Sequence, residues 1–91
     1  MRYKRVVCAD GFSFSVQARS SECYCEPEGS EGPYSSCEVG FPSEEEELLL
    51  PFDHGDGDPI DSVYWWVPVD VIRAVIERHG GMVQGTLPPG V

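Results

Sequence analysis

Four cysteines, two histidines and a dense run of carboxylates carry the strongest chemistry in this 91-residue sequence. Cys8, Cys23, Cys25 and Cys37 could offer four thiolates to zinc. That metal takes sulfur tetrahedrally, usually from paired knuckles in which two to four residues separate the cysteines and let the backbone turn round the ion. Here the one close pair is Cys23-Tyr24-Cys25, with a single residue between, and Cys8 and Cys37 stand alone in β-type runs. Small buried thiols plus two loop cysteines is the favoured reading. Cys23 and Cys25 remain a weak alternative metal pair, and with no activating base nearby no redox or nucleophilic role is assigned.

The stretch SEEEELLLPFDHGDGDPID, Ser43 to Asp61, holds eight carboxylates (Glu44, Glu45, Glu46, Glu47, Asp53, Asp56, Asp58 and Asp61) and no lysine or arginine. A calcium loop of the EF-hand type needs oxygen ligands at positions 1, 3, 5, 7, 9 and 12 and glycine at 6. Counting from Asp56, position 3 is Asp58, but position 5 is Ile60 and position 6 is Asp61, so the template fails. His54 sits in this loop and His79 near the end of a helical pattern. The glycines fall in turns rather than in a phosphate-cradling motif. No catalytic residue and no cofactor is assigned, and an enzyme is not expected.

The charge distribution is more informative. Sixteen acidic residues oppose six basic ones, for a formal net charge of −10. Fourteen of the acids, all but Asp10 and Glu77, lie between Ser20 and Ile72, where there is no Lys or Arg. Such a one-signed field repels nucleic acid and anionic membrane and attracts basic protein surfaces. Direct nucleic-acid binding is therefore disfavoured, and a partner with a basic surface is expected. Tyr24, Tyr34, Phe41, Phe52, Tyr64, Trp65 and Trp66 interleave with the acids and would anchor an interface wherever they are exposed. The eight carboxylates of Ser43 to Asp61 are the expected partner-binding residues.

A chain of this length forms one domain that buries roughly 60–65% of its unfolded surface. No apolar run approaches the ~18 residues that span a bilayer, and MRYKRVVCADGF lacks the apolar core of a signal peptide. A cytoplasmic protein with reduced cysteines is expected. The elements that must position the acids follow from local pattern. RYKRVVCADGFSFSVQAR reads as a hairpin with a two-residue turn at Asp10-Gly11. That register pairs Val7 with Phe14, and places Val7, Ala9, Phe12, Phe14, Val16 and Ala18 on the core face. SSECYCEPEGSEGPYS is a long loop. SCEVGFP predicts a third strand with Cys37, Val39 and Phe41 inward.

Ser43 followed three residues later by Glu46 matches a capping box, so one or two helical turns are predicted before Pro51. FDHGDGDPIDS then reads as a flexible acidic turn and VYWWV as a fourth strand. VPVDVIRAVIERHGG predicts an amphipathic helix with Val69, Ile72, Val75 and Ile76 inward, Gly80 just past its end and an exposed Arg73–Glu77 pair. The fold class is α+β: a small, mostly antiparallel sheet, built from the N-terminal hairpin plus two further strands, packed by one C-terminal helix. Residues 1–81 form the domain, and 82–91 a flexible tail.

The strings VVCADGF (Val6 to Phe12), SVQA (Ser15 to Ala18), YC (Tyr24, Cys25), GPY (Gly32 to Tyr34), EVGFPS (Glu38 to Ser43) and VPVDVIRAVIERHGG (Val67 to Gly81) together resemble a family of small uncharacterised proteins of tailed bacteriophages. The resemblance covers most of the chain, and no catalytic or ligand residue comes with it. It implies a protein made in the cytoplasm of an infected bacterium. Small acidic phage proteins in that setting often bind host proteins, the best understood being anti-CRISPR proteins and DNA mimics that inhibit restriction enzymes. The Glu44 to Glu47 run is heavier than the family leads one to expect. The leading expectation is a DNA-mimicking inhibitor of a nucleic-acid-binding defence complex. The alternatives are a small metal-binding module, with zinc on cysteines or calcium on the Asp loop, and a phage regulatory or structural dimer joined through the Val63 to Val67 strand.

Overall fold

The computed structural model describes residues 3–19, 23–55 and 57–91. It contains β1 (Val6–Cys8), β2 (Ser13–Gln17), β3 (Ser36–Gly40), β4 (Val63–Pro68), α1 (Val69–Arg78) and β5 (Met82–Gln84), with short 3-10 turns at Leu50–Phe52 and Pro59–Asp61. The strands form one sheet in the order β4-β3-β2-β1-β5, every neighbour antiparallel, and α1 packs against it. This is the α+β class expected from the pattern.

The hairpin forms, but its register differs by one residue from the expected one. Val6 pairs with Phe14 and Val7 with Ser13. The loop therefore has three residues: Gly11 N–H donates to the Cys8 carbonyl (3.0 Å), Gly11 takes φ +96°, and Cys8 N–H returns to the Phe12 carbonyl (2.8 Å). A turn followed by a left-handed glycine is the other common hairpin solution for Asp-Gly. Because side chains alternate, the shift turns β1 over. Val6 and Cys8 join Phe12, Phe14, Val16 and Ala18 in the core, while Val7 and Ala9 face outward.

In β3, Cys37 and Val39 are buried as expected, but Phe41 lies beyond the strand, exposed and at φ +52°. Against it β4 carries a bulge. Cys37 pairs with Val67 and Val39 with Tyr64, leaving Trp65 and Trp66 together opposite Glu38. A bulge interrupts alternation, so Tyr64 and Val67 point into the core while both tryptophans stay out of it.

The acidic segment is not the expected capped helix. Residues 43 and 44 form a bend and 47–49 a turn, continued by the 3-10 turn, through i+3 to i bonds such as Leu49 N–H to the Glu46 carbonyl (3.0 Å) and Phe52 N–H to that of Leu49 (2.9 Å). Ser43 Oγ accepts from Ser13 N–H (3.0 Å), so Ser43 sews the segment to the hairpin instead of capping a helix. Pro42 and Pro51 leave eight residues between them, too few to sustain an isolated helix. Leu49, fully buried, anchors the segment in the core.

Helix α1 buries Ile72 and Val75 and ends in a glycine cap. Gly81 N–H reaches the Ile76 carbonyl (2.9 Å) and Gly80 N–H that of Glu77 (3.1 Å), with Gly80 at φ +92°, the Schellman arrangement. Arg73 pairs with Asp70 (3.0 Å) and reaches the Gly90 carbonyl rather than pairing with Glu77 as expected. Residues 82–91, expected as a flexible tail, are docked on the fold. β5 pairs with β1, Thr86 N–H bonds the Lys4 carbonyl (3.2 Å), Pro88 is buried, and Tyr34 N–H bonds the Pro89 carbonyl (2.8 Å). No helix among the described residues is long and apolar enough to cross a membrane.

Candidate functional site

The structure divides the expected acidic residues among different tasks. Glu46 turns inward and is only 3% exposed. Its Oε1 lies 2.6 Å from His79 Nε2, while its Oε2 accepts from Leu48 N–H (3.0 Å). The other ring nitrogen, His79 Nδ1, lies 2.7 Å from Asp10 Oδ2. Ionised carboxylate oxygens only accept, so two such partners suit the protonated imidazole, in which both ring nitrogens donate. The ring also stacks on Phe12 (centroids 4.0 Å apart, planes at 11°) and is 8% exposed.

The electrostatics agree with this arrangement. Burial works against the charged ring, but the bonds to Glu46 and Asp10 prevail and raise the pKa of His79 above its ordinary 6.5. Burial likewise opposes ionisation of Glu46. The Leu48 amide, His79 and the nearby Arg78 outweigh it and hold the carboxyl below its ordinary range. Asp10 is held low mainly by the Phe12 amide, then by His79. With both nitrogens committed, neither is presented to a substrate. The trio ties the hairpin loop, the acidic segment and the end of α1 to one another.

Glu47 pairs on the surface with Arg78 (3.1 Å). Glu44 and Glu45 are exposed. Asp53, half-buried, accepts from Gly55 N–H (2.8 Å) and bridges Tyr64, while Asp58 caps the Pro59–Asp61 turn by accepting from Ile60 N–H (3.2 Å). Asp61 is exposed, and Asp56 lies outside the described residues. The stretch expected as a flexible turn thus contains an ordered 3-10 turn, closed onto β4 by Tyr64 Oη donating to the Pro59 carbonyl (2.7 Å). That phenol is pushed up to about 12, first by burial and then by the charges of Asp53, Glu45 and Asp58. Asp53, bridged to Tyr64, and Asp58, which caps the turn that accepts the phenol, both flank that ring. Among the described residues, Glu44, Glu45, Asp53, Asp58 and Asp61 belong to no ion pair.

Beside this region stands an aromatic stack. Trp65 is sandwiched between His54 (4.3 Å, 14°) and Tyr24 (3.8 Å, 21°). Trp66 meets Tyr24 (5.2 Å, 74°) and Trp65 (6.0 Å, 86°) edge-on. Backbone bonds fix the stack: Trp66 N–H to the Tyr24 carbonyl (3.1 Å), Tyr24 N–H to Glu38 Oε1 (3.1 Å), and His54 N–H to the Val63 carbonyl (3.0 Å). His54 Nδ1–H donates to the Phe52 carbonyl (3.0 Å). Tyr24 and Trp66 are 42% and 39% exposed, whereas Tyr34 and Tyr64, read from the sequence as equal interface candidates, are in the core. Adjacent tryptophans point to such a surface, because regular alternation would bury one of them; the bulge that keeps both out of the core leaves no sequence signature.

The remaining readings meet geometry as well. Cys8, Cys25 and Cys37 are buried and Cys23 is half-buried. Cys25 Sγ donates to the Arg19 carbonyl (3.2 Å), and burial, aided by Cys25 and Cys23, pushes Cys37 up to about 12. Among the described residues no three His, Cys, Asp or Glu side chains are grouped to hold a metal ion. The outer edge of β4, which a dimer through Val63 to Val67 would use, is taken up by Asp53, His54 and Tyr24. Comparison with protein-family models, curated proteins and solved structures finds no match.

Proposed function

We propose that this chain is a non-enzymatic interaction protein whose acidic surface occupies a basic, nucleic-acid-binding face of a partner protein. The carrying observation is the one-signed field: fourteen carboxylates between Ser20 and Ile72 with no Lys or Arg among them. The reading is sharper than the sequence alone permits. Glu46 is withdrawn from the surface by His79 and Glu47 is shared with Arg78, so the contacting set is Glu44, Glu45, Asp53, Asp58 and Asp61. The turn chemistry and the buried Leu49 hold these groups in place, and a preformed array loses little freedom on binding. The phage resemblance supplies the finer proposal: a bacteriophage protein that inhibits a host defence complex such as CRISPR–Cas by mimicking DNA.

The experiment is a binding titration against a guide-loaded CRISPR effector complex, with double-stranded target DNA as competitor. Contacts that replace phosphates weaken by orders of magnitude between about 50 and 200 mM salt, and DNA and this protein should exclude one another. Binding that keeps its strength over that range, or a complex holding both ligands at once, refutes mimicry.

A further inference from the structure

The aromatic stack is left unexplained by charge alone. Two large rings, Tyr24 and Trp66, stay on the surface although the chain has a core to place them in. Their exposure is built into the backbone. The β4 bulge sets Trp65 and Trp66 side by side opposite Glu38, and Trp66 holds φ +51°, a left-handed conformation unusual for a bulky residue. Strain of this kind persists where the surrounding structure enforces it, and it concentrates at binding sites. The enforcement here is visible: the Trp66 amide is held by Tyr24, the Tyr24 amide by Glu38, and Trp65 is clamped between two rings. A rigid aromatic anchor is what an interface hot spot requires.

We propose that the Tyr24–Trp65–Trp66 cluster is an anchor for an arginine side chain on a cationic segment of the partner protein. The proposal rests on the reading that the acidic face meets a basic partner, and it names the side chain that docks. Aromatic faces attract cations, and a guanidinium, flat and weakly hydrated, stacks on such rings while its five N–H groups reach neighbouring carboxylates. Those carboxylates are at hand: Glu38 lies across the bulge, and Asp53 immediately precedes the stacked His54. Nucleobases would also stack on these rings, but their phosphates meet a field of the same sign. Charge complementarity therefore selects arginine over a nucleotide or a second copy of this acidic chain.

The test uses short alternating arginine–glycine peptides, with lysine–glycine and citrulline–glycine counterparts, titrated into the wild-type protein while the two indole N–H signals are followed by NMR. The arginine peptide should shift both signals, the lysine peptide should bind more weakly, and the uncharged citrulline peptide should not bind. Trp66→Ala and Tyr24→Ala should each weaken arginine-peptide binding by about fivefold or more, the scale of a partly desolvated cation–π contact. Glu44→Gln combined with Glu45→Gln and Asp61→Asn should weaken both cationic peptides. If the charge variant weakens binding but neither aromatic variant moves it twofold, the arginine anchor is wrong and the acidic-surface reading stands. If no cationic peptide binds, both fail. Binding of single-stranded DNA to the stack, or a wild-type dimer that Trp66→Ala dissolves, also overturns the anchor.

Discussion

Replacing Glu46 tests how the acidic segment is held. Glu46→Ala removes the acceptor of His79 Nε2 and of the Leu48 amide, leaving a buried imidazolium with Asp10 as its remaining carboxylate. Breaking one side of a buried charge pair costs about 3–5 kcal/mol. For a domain of this size 1 kcal/mol corresponds to roughly 4–8 °C in Tm, so the fall should exceed about 12 °C. Glu46→Gln keeps the acceptor geometry and loses the charge. Hydrogen bonds to charged groups contribute about 1.5–3 kcal/mol against 0.5–1.5 for neutral ones, so this variant should lose only about 1–1.5 kcal/mol. Urea unfolding followed by tryptophan fluorescence measures both, with Glu44→Ala and Glu45→Ala as surface controls expected within about 0.5 kcal/mol of wild type. If Glu46→Ala costs no more than those controls, the inward-turned glutamate is not what secures the segment.

The same trio sets a pH signature. The raised pKa of His79 means that its contribution is complete below the unfolded value of 6.5 and disappears as pH rises through the higher folded value. The lowered pKa values of Glu46 and Asp10 place their contributions above 4.5 and 3.8, to be lost as pH falls through the folded values beneath. The stability difference between wild type and His79→Gln should therefore be greatest between pH 4.5 and 6.5 and shrink on both sides, as unfolding across pH would show. Gly85→Ala drives a Cβ into the Arg5 carbonyl at φ +110° and should release β5, seen as faster amide exchange at Val7 and Gln84 with the rest of the sheet retained. Cys37, pushed up to about 12, should resist iodoacetamide at pH 8 until the protein unfolds, as mass spectrometry of the alkylated chain would reveal.

What the sequence made legible follows the range of the interactions involved. The hairpin, β3, β4 and α1 are written in local pattern and appear where expected. The hairpin register is not, because Val6, Val7, Cys8 and Ala9 are all apolar enough for either face, and Asp-Gly suits two loop lengths. The Ser43–Glu46 capping signal is chemically sound but loses to a bond formed 33 residues away, between Glu46 and His79. No window over the glutamate run distinguishes Glu46 from Glu44, Glu45 or Glu47. The same holds for Trp66, whose outward turn depends on the pairing of β3 with β4. Charge could be read from composition, whereas which carboxylates reach the surface required the fold.

The placement of β5 has a consequence for how the protein is made. Helix α1 carries the chain from β4, at one edge of the sheet, to β5, at the other, so β1 finds its second neighbour only after the intervening residues have been synthesised. At about 5–20 residues per second that leaves β1 open along one side for several seconds on the ribosome. An open strand edge invites pairing with a neighbouring nascent chain. Lys4 and Arg5, directly before β1, are the kind of charged residues that discourage such pairing. Lys4 and Arg5 thus stand beside the edge of β1 that stays open until β5 closes it.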